Sequence, residues 1–190
     1  MDEFSELIEY IEDNPVIMAV KDWEGLNRCT QMEPKVVFIL FGDICNISEI
    51  VRTVKKANKI AIVHVDLITG LGNREVVIDF MKENTMLDGI ISTKPALIKR
   101  AKELGVFAIF RYFLLDSMAL ENLRRQETSI APDMIEILPG VMPKVTRHLA
   151  ETLNVPIICG GLISDKSDVM NALNAGATAI SSTNKDVWVC

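Results

Sequence analysis

The chain has 190 residues, 49% of them hydrophobic and 24% charged, and a formal net charge of −6. It is too apolar for disorder and long enough to bury a substantial core, which favours one domain over residues 1–190. The acidic balance argues against non-specific adhesion to nucleic acid or anionic membrane while leaving room for a local basic patch, and no apolar stretch reaches the roughly 18 residues of a membrane span.

The opening residues, MDEFSELIEYIEDN, are acidic where a secretory signal is basic and then apolar, so a cytoplasmic protein is expected. They predict an amphipathic helix over 1–13. Eight short apolar, β-branched runs follow, at 16–20, 36–41, 60–65, 89–92, 106–110, 134–138, 156–159 and 177–181. Their near-continuous hydrophobicity suits strands covered on both faces, as in a parallel sheet flanked by helices. The first connection, 21–34, carries Trp23 and Gly25 without a helical period and reads as a loop, either a lid or a long turn.

Between most later runs lie helical segments of ten to fifteen residues. Pro95 suits a first turn, Asp116-Ser117 and Ser164-Asp165 can cap, and Gly105 and Gly176 fall where helix ends need a left-handed residue. Eight βα units predict a small closed (βα)8 TIM-type barrel, with the N-terminal helix covering its bottom or packing beside the last helix. An open doubly wound sheet is the runner-up. An internal echo relates Gly70-Leu71 through Ser92-Thr93 to Gly161-Leu162 through Ser182-Thr183, as a duplicated half-barrel would.

The working face of such a barrel lies at the carboxyl ends of its strands. There, Gly160 and Gly161 let backbone approach an anion, and Ser181, Ser182 and Thr183 offer amides and hydroxyls, so these turns are the predicted phosphate cradle. The echo supplies a second candidate anion site at Gly70, Gly72, Ser92 and Thr93. Alternation along the strands points Lys21, His64, Asp66, Lys94, Arg111 and Glu136 toward the barrel mouth. These six form either a self-satisfied ion-pair network or a polar pocket, with Asp66 and Glu136 accepting from substrate hydroxyls. A small phosphorylated polyol fits that lining.

Acid–base work by His64 and Asp66, or a metal held with Glu136, is weakly supported, because the only other histidine, His148, falls in a predicted surface helix. No GxSxG elbow follows any strand. Cys29, Cys45, Cys159 and Cys190 lack CxxC spacing and read as buried free thiols in a reducing compartment. Basic clusters at Lys55, Lys56 and Lys59, at Lys94, Lys99, Arg100 and Lys102, at Arg124 and Arg125, and at Lys144 and Arg147 read mostly as solvated helix faces.

Several segments together resemble the glycerol uptake operon antiterminator regulatory protein family. They are His64-Val65-Asp66-Leu67 with Thr69-Gly70-Leu71, Asp88 to Lys94 (DGIISTK), Arg111 to Ser117 (RYFLLDS), Glu136 to Gly140 (EILPG) and Gly160-Gly161-Leu162-Ile163. No one of them is diagnostic, but their order and spacing across nearly the whole chain is specific. The resemblance implies a cytoplasmic regulator that, with glycerol 3-phosphate bound, acts on leader messenger RNA of glycerol-utilisation genes to prevent premature termination. It implies no catalysis and no cofactor beyond that ligand. RNA contact would then use a local basic cluster, duplicated by self-association. The rival readings are a barrel isomerase or lyase acting on a small phosphorylated metabolite, and a catalytically inert sensor that contacts protein.

Overall fold

A computed structural model describes residues 3–190. Helix α1 (Glu3–Asp13) precedes eight strands with intervening helices: β1 (Val16–Val20), α2 (Trp23–Cys29), β2 (Val36–Ile39), α3 (Ile47–Lys56), β3 (Ile60–His64), α4 (Val76–Asn84), β4 (Gly89–Ser92) and α5 (Pro95–Glu103). They continue as β5 (Phe107–Phe113), α6 (Ser117–Ile130), β6 (Met134–Leu138), α7 (Pro143–Ala150), β7 (Ile157–Gly160), α8 (Lys166–Asn174) and β8 (Ala179–Ser182). Single 3-10 turns lie at Val65–Leu67 and Val187–Val189. The strands pair in parallel in the order β1 to β8, and β8 closes on β1 through Val16 opposite Ile180, so the sheet is a closed (βα)8 barrel and the open sheet is excluded. Residues 1 and 2 of the expected first helix lie outside the described residues.

The period of two along each strand divides the core into two layers. Ile17, Phe38, Ile62, Ile91, Phe107, Ile109, Met134 and Ile158 fill the barrel interior, while Met18, Val37, Val63, Ile90, Ala108, Ile135 and Ile180 face the helices. Leu7 and Ile11 of α1 join the interior layer with Val36 and Met134 from the strand beginnings. The helix therefore closes the barrel bottom, the first of its two expected positions. Each such fully buried side chain contributes on the order of 1.5–3 kcal/mol.

Helix starts follow the expected capping chemistry. Asp116 accepts from the Ala119 N–H at 2.8 Å, Asp165 accepts from the Asp168 N–H at 2.9 Å, and Pro95 occupies the first position of α5. Gly105 and Gly176 end α5 and α8 with φ of 65° and 98°. The segment 21–34 departs from expectation. It contains the seven-residue helix α2, because Asp22 accepts from the Gly25 N–H at 2.7 Å and Leu26 and Cys29 drop into the core. Strand β5 also runs three residues past its apolar run, because Arg111, Tyr112 and Phe113 stay in register with Glu136, Ile137 and Leu138.

Cys29 and Cys159 are buried and burial pushes both thiols up to about 11, whereas Cys45 and Cys190 are exposed, so burial holds for only two of the four. The basic clusters are largely committed. Lys55 pairs with Asp88, Arg100 with Asp79 and Glu103, and Lys102 with Asp133. Lys59 is not on a solvated face at all: it is buried and donates to the carbonyls of Met32 and Pro34. No helix among the described residues is long and apolar enough to cross a membrane.

Candidate functional site

The turns after β7 and β8 meet over the barrel mouth and border a cavity of about 480 Å³. Its walls are Gly161, Leu162, Ile163 and Ser164 from one turn, Ser181, Ser182, Thr183 and Asn184 from the other, with Ala19, Leu40, Arg111 and Leu138. Gly161 and Leu162 both adopt positive φ, 73° and 61°. For leucine that conformation costs roughly 1–2 kcal/mol, and its side chain is 74% exposed, so no core contact of that side chain repays the strain. The N–H groups of Leu162, Ile163 and Thr183 donate to no protein acceptor among the described residues.

Strand β8 fixes the second turn by its own bonds. Ser182 Oγ donates to the Ile163 carbonyl at 2.8 Å and accepts from the Asn184 N–H at 3.0 Å, which ties the two turns together. The buried Trp188 indole N–H donates to the Ser182 carbonyl at 2.7 Å from behind. The Thr183 hydroxyl is left over. It is exposed and has no protein partner among the described residues.

Beneath this cavity lies a buried chain of charge. Arg111 Nε donates to Glu136 Oε2 at 2.5 Å, and Ser181 Oγ donates to Glu136 Oε1 at 2.5 Å. The Glu136 side chain is fully buried and that of Arg111 is 11% exposed. Strand pairing forces this arrangement, since Arg111 is opposite Glu136 and Gly160 is opposite Ser181. Gly160 is glycine because a Cβ there would lie 2.4 Å from Glu136 Oε1 and 2.7 Å from Ser181 Oγ. Its role is to admit the carboxylate, and it does not line the cavity. The two terminal nitrogens of Arg111 have no protein acceptor among the described residues, so the guanidinium is held at its inner nitrogen and presented at its outer ones.

A second polar cluster joins β3 to β4. Asp66 accepts from Ser92 Oγ at 2.8 Å, from the Thr93 N–H at 2.7 Å and from Thr93 Oγ1 at 2.8 Å, and Lys94 Nζ lies 3.3 Å away. Lys94 also bonds Asn73. Burial opposes the Asp66 charge, but the Thr93 N–H and the two hydroxyls outweigh it and hold the carboxyl below its ordinary value. His64, 3% exposed, is pushed down to about 4 by burial and then by Arg111, against the opposing pull of Asp66. Its imidazole is neutral near pH 7, and its Nδ1 has no partner among the described residues.

Of the predicted cradle, Gly161, Ser181, Ser182 and Thr183 reach one cavity and Gly160 stands behind it. Of the six residues expected to form a polar pocket, only Arg111 is on the cavity wall: Glu136 lies beneath it bonded to Arg111, Asp66 and Lys94 pair with each other in the second cluster beside His64, and Lys21 is exposed and forms no ion pair among the described residues. Both carboxylates expected to accept from a substrate have their oxygens engaged by the chain's own donors. At the echo site, the Ser92 and Thr93 donors go to Asp66, Gly70 takes a turn at φ 89° beside Ile44, and Gly72 is open. Ile163, Asn184 and Trp188 were not foreseeable from residue type. Among the described residues no group of three His, Cys, Asp or Glu side chains is placed to hold a metal.

Residues 16–188 match the family described as glycerol-3-phosphate responsive antiterminator. The uncharacterized protein YgcP of Escherichia coli (strain K12) is 47% identical over 182 residues, which cover 96% of this chain and 95% of that one. The crystal structure of a glycerol uptake operon antiterminator regulatory protein from Listeria monocytogenes aligns with a TM-score of 0.90 at 29% identity, over 93% of this chain and 96% of that one. A glycerol uptake operon antiterminator-related protein from Thermotoga maritima aligns at 0.83 with 32% identity, over 92% and 98%. Barrel enzymes align at 15% identity and share the fold alone.

Proposed function

The chain belongs to the glycerol-3-phosphate responsive antiterminator family, and from that premise we propose that it binds glycerol 3-phosphate at the carboxyl end of the barrel and, so loaded, acts as an antiterminator on leader messenger RNA of glycerol-utilisation genes. The phosphate sits on the turns after β7 and β8. The N–H groups of Leu162, Ile163 and Thr183, the Thr183 hydroxyl and the outer nitrogens of Arg111 donate to it, with Gly161 making the close approach. One observation carries this reading: uncommitted donors from two turns and one guanidinium border the same cavity of about 480 Å³. The chain's own Asp66 supports it, since a carboxylate already rests on the N–H and hydroxyl of Thr93 in the equivalent turn after β4.

On this reading the barrel is a regulator and not an enzyme. Glu136 holds Arg111 and Ser181, and Asp66 holds Ser92 and Thr93, so neither carboxylate is free to move a substrate proton. Both act by positioning donors. The ligand favours a conformation of the βα loops in which a cationic rim meets RNA, and the protein works in the cytoplasm, where the transcript is. A ligand shifts such an equilibrium only by its difference in affinity for the two states, about 1.4 kcal/mol per tenfold.

Leader-RNA binding measured across a salt series, with and without glycerol 3-phosphate, tests the regulatory step. The expected result is tighter binding with the ligand at every salt concentration. Identical affinity in the two series overturns it.

A further inference from the structure

Half a barrel from the proposed phosphate turn, the chain builds the same turn again. At the end of β4, Ser92 Oγ accepts from the Lys94 N–H at 3.0 Å and donates to Asp66 Oδ1 at 2.8 Å. At the end of β8, Ser182 Oγ accepts from the Asn184 N–H at 3.0 Å and donates to the Ile163 carbonyl at 2.8 Å. Each serine closes its strand, each precedes a threonine, and each hydroxyl reaches an oxygen from the segment after the preceding strand. The turns differ in what the threonine holds. Thr93 gives both its N–H and its hydroxyl to Asp66 Oδ2, at 2.7 and 2.8 Å, whereas Thr183 gives neither to a protein acceptor among the described residues.

We propose that the turn after β4 is a second oxyanion site whose resident is the protein's own Asp66 carboxylate, and that a small phosphate monoester or inorganic phosphate takes it once that carboxylate is removed. The proposal rests on the reading of the β8 turn as a phosphate site only through the equivalence of the two turns.

Chemistry and space both support it. Deleting the carboxylate leaves the Thr93 N–H and the hydroxyls of Ser92 and Thr93 without their acceptor, with Lys94 no longer neutralised. Such donors in a half-buried pocket favour an anion over water. The turn also adjoins a cavity of about 390 Å³ bounded by Thr93, Arg111, Tyr112, Asp116 and Asn122, which leaves room for the larger phosphate group. In the natural chain Asp66 is a tethered competitor, present at an effective concentration that a free metabolite does not match. One half of the barrel thus keeps its anion site for the ligand while the other half fills its own.

Calorimetric titration with inorganic phosphate and with glycerol 3-phosphate, on the full chain and its variants, tests this. Asp66→Ala is expected to bind one more anion per chain than the natural protein. Asp66→Asn should not, because its amide oxygen still accepts from Thr93, and Asp66→Ala/Thr93→Val should lose the added site. Asp66→Ser serves in place of Asp66→Ala where the alanine variant does not fold. An unchanged stoichiometry in the folded alanine or serine variant overturns the proposal. One anion in the natural chain and one in the variant leaves the proposed function standing and refutes this inference. None in the natural chain and one in the variant does the reverse.

Discussion

Replacing Gly160 by alanine places a methyl group against the buried charges that hold Arg111. The added carbon would lie 2.4 Å from Glu136 Oε1 and 2.7 Å from Ser181 Oγ, both far inside contact distance. The backbone cannot retreat, because Gly160 is paired with Ser181 in the ladder between β7 and β8. The carboxylate cannot retreat either, because it is fully buried and bonded on its other oxygen to Arg111. The bond from Ser181 to Glu136 therefore breaks. A buried hydrogen bond to a charged group is worth about 1.5–3 kcal/mol, and forcing a methyl group into a packed interior costs about 1–3 kcal/mol. A loss of about 3–5 kcal/mol of stability is expected from urea denaturation, with the guanidinium displaced and glycerol 3-phosphate affinity falling at least tenfold in calorimetry. A variant within about 0.5 kcal/mol of the natural chain and of unchanged affinity refutes the placement of Glu136 and the role given to Arg111.

Two further outcomes follow from the same cluster. His64 titrates near 4 in the fold against an ordinary 6.5, so below pH 6.5 the unfolded chain takes up a proton that the folded chain refuses; stability drains away as pH falls from 6.5 to about 4, by roughly 3 kcal/mol, and His64→Gln should flatten that part of the curve. Denaturation midpoints measured between pH 8 and 4 decide it, and equal slopes in the two proteins contradict it. Trp188 bonds the Ser182 carbonyl of the turn proposed to hold the phosphate, so in a Trp23→Phe background its fluorescence should shift saturably with glycerol 3-phosphate and stay unchanged with glycerol.

The barrel was legible because burial on both faces leaves a plain mark: eight apolar runs, each within three residues of an observed strand at either end. Helix α2 was not, because seven residues containing Gly25 carry too little periodicity to register, although Asp22 ahead of Trp23-Glu24 is a capping signal. The end of β5 was hidden for a different reason. Arg111 breaks the apolar run, and only its partner Glu136, on the neighbouring strand, makes an arginine acceptable there. At the cavity, residue types pointed to Thr183 and Arg111, which both line it, but which donors are already engaged depends on partners distant in sequence. Ser181 goes to Glu136 and Ser92 to Asp66, pairs 45 and 26 residues apart. The echo between the two halves was visible in the letters; that one half holds its own carboxylate was not.

The most direct measurement is a calorimetric comparison of the natural chain with Thr183→Val, each titrated with glycerol 3-phosphate, inorganic phosphate and glycerol. Losing a hydroxyl donor to a phosphate costs about 1.5–3 kcal/mol, so the variant should bind glycerol 3-phosphate roughly ten- to a hundredfold more weakly, while the natural chain prefers it to glycerol by a wide margin. Equal affinity in the two proteins, or glycerol bound as tightly as its phosphate, contradicts a phosphate held by the paired turns after β7 and β8.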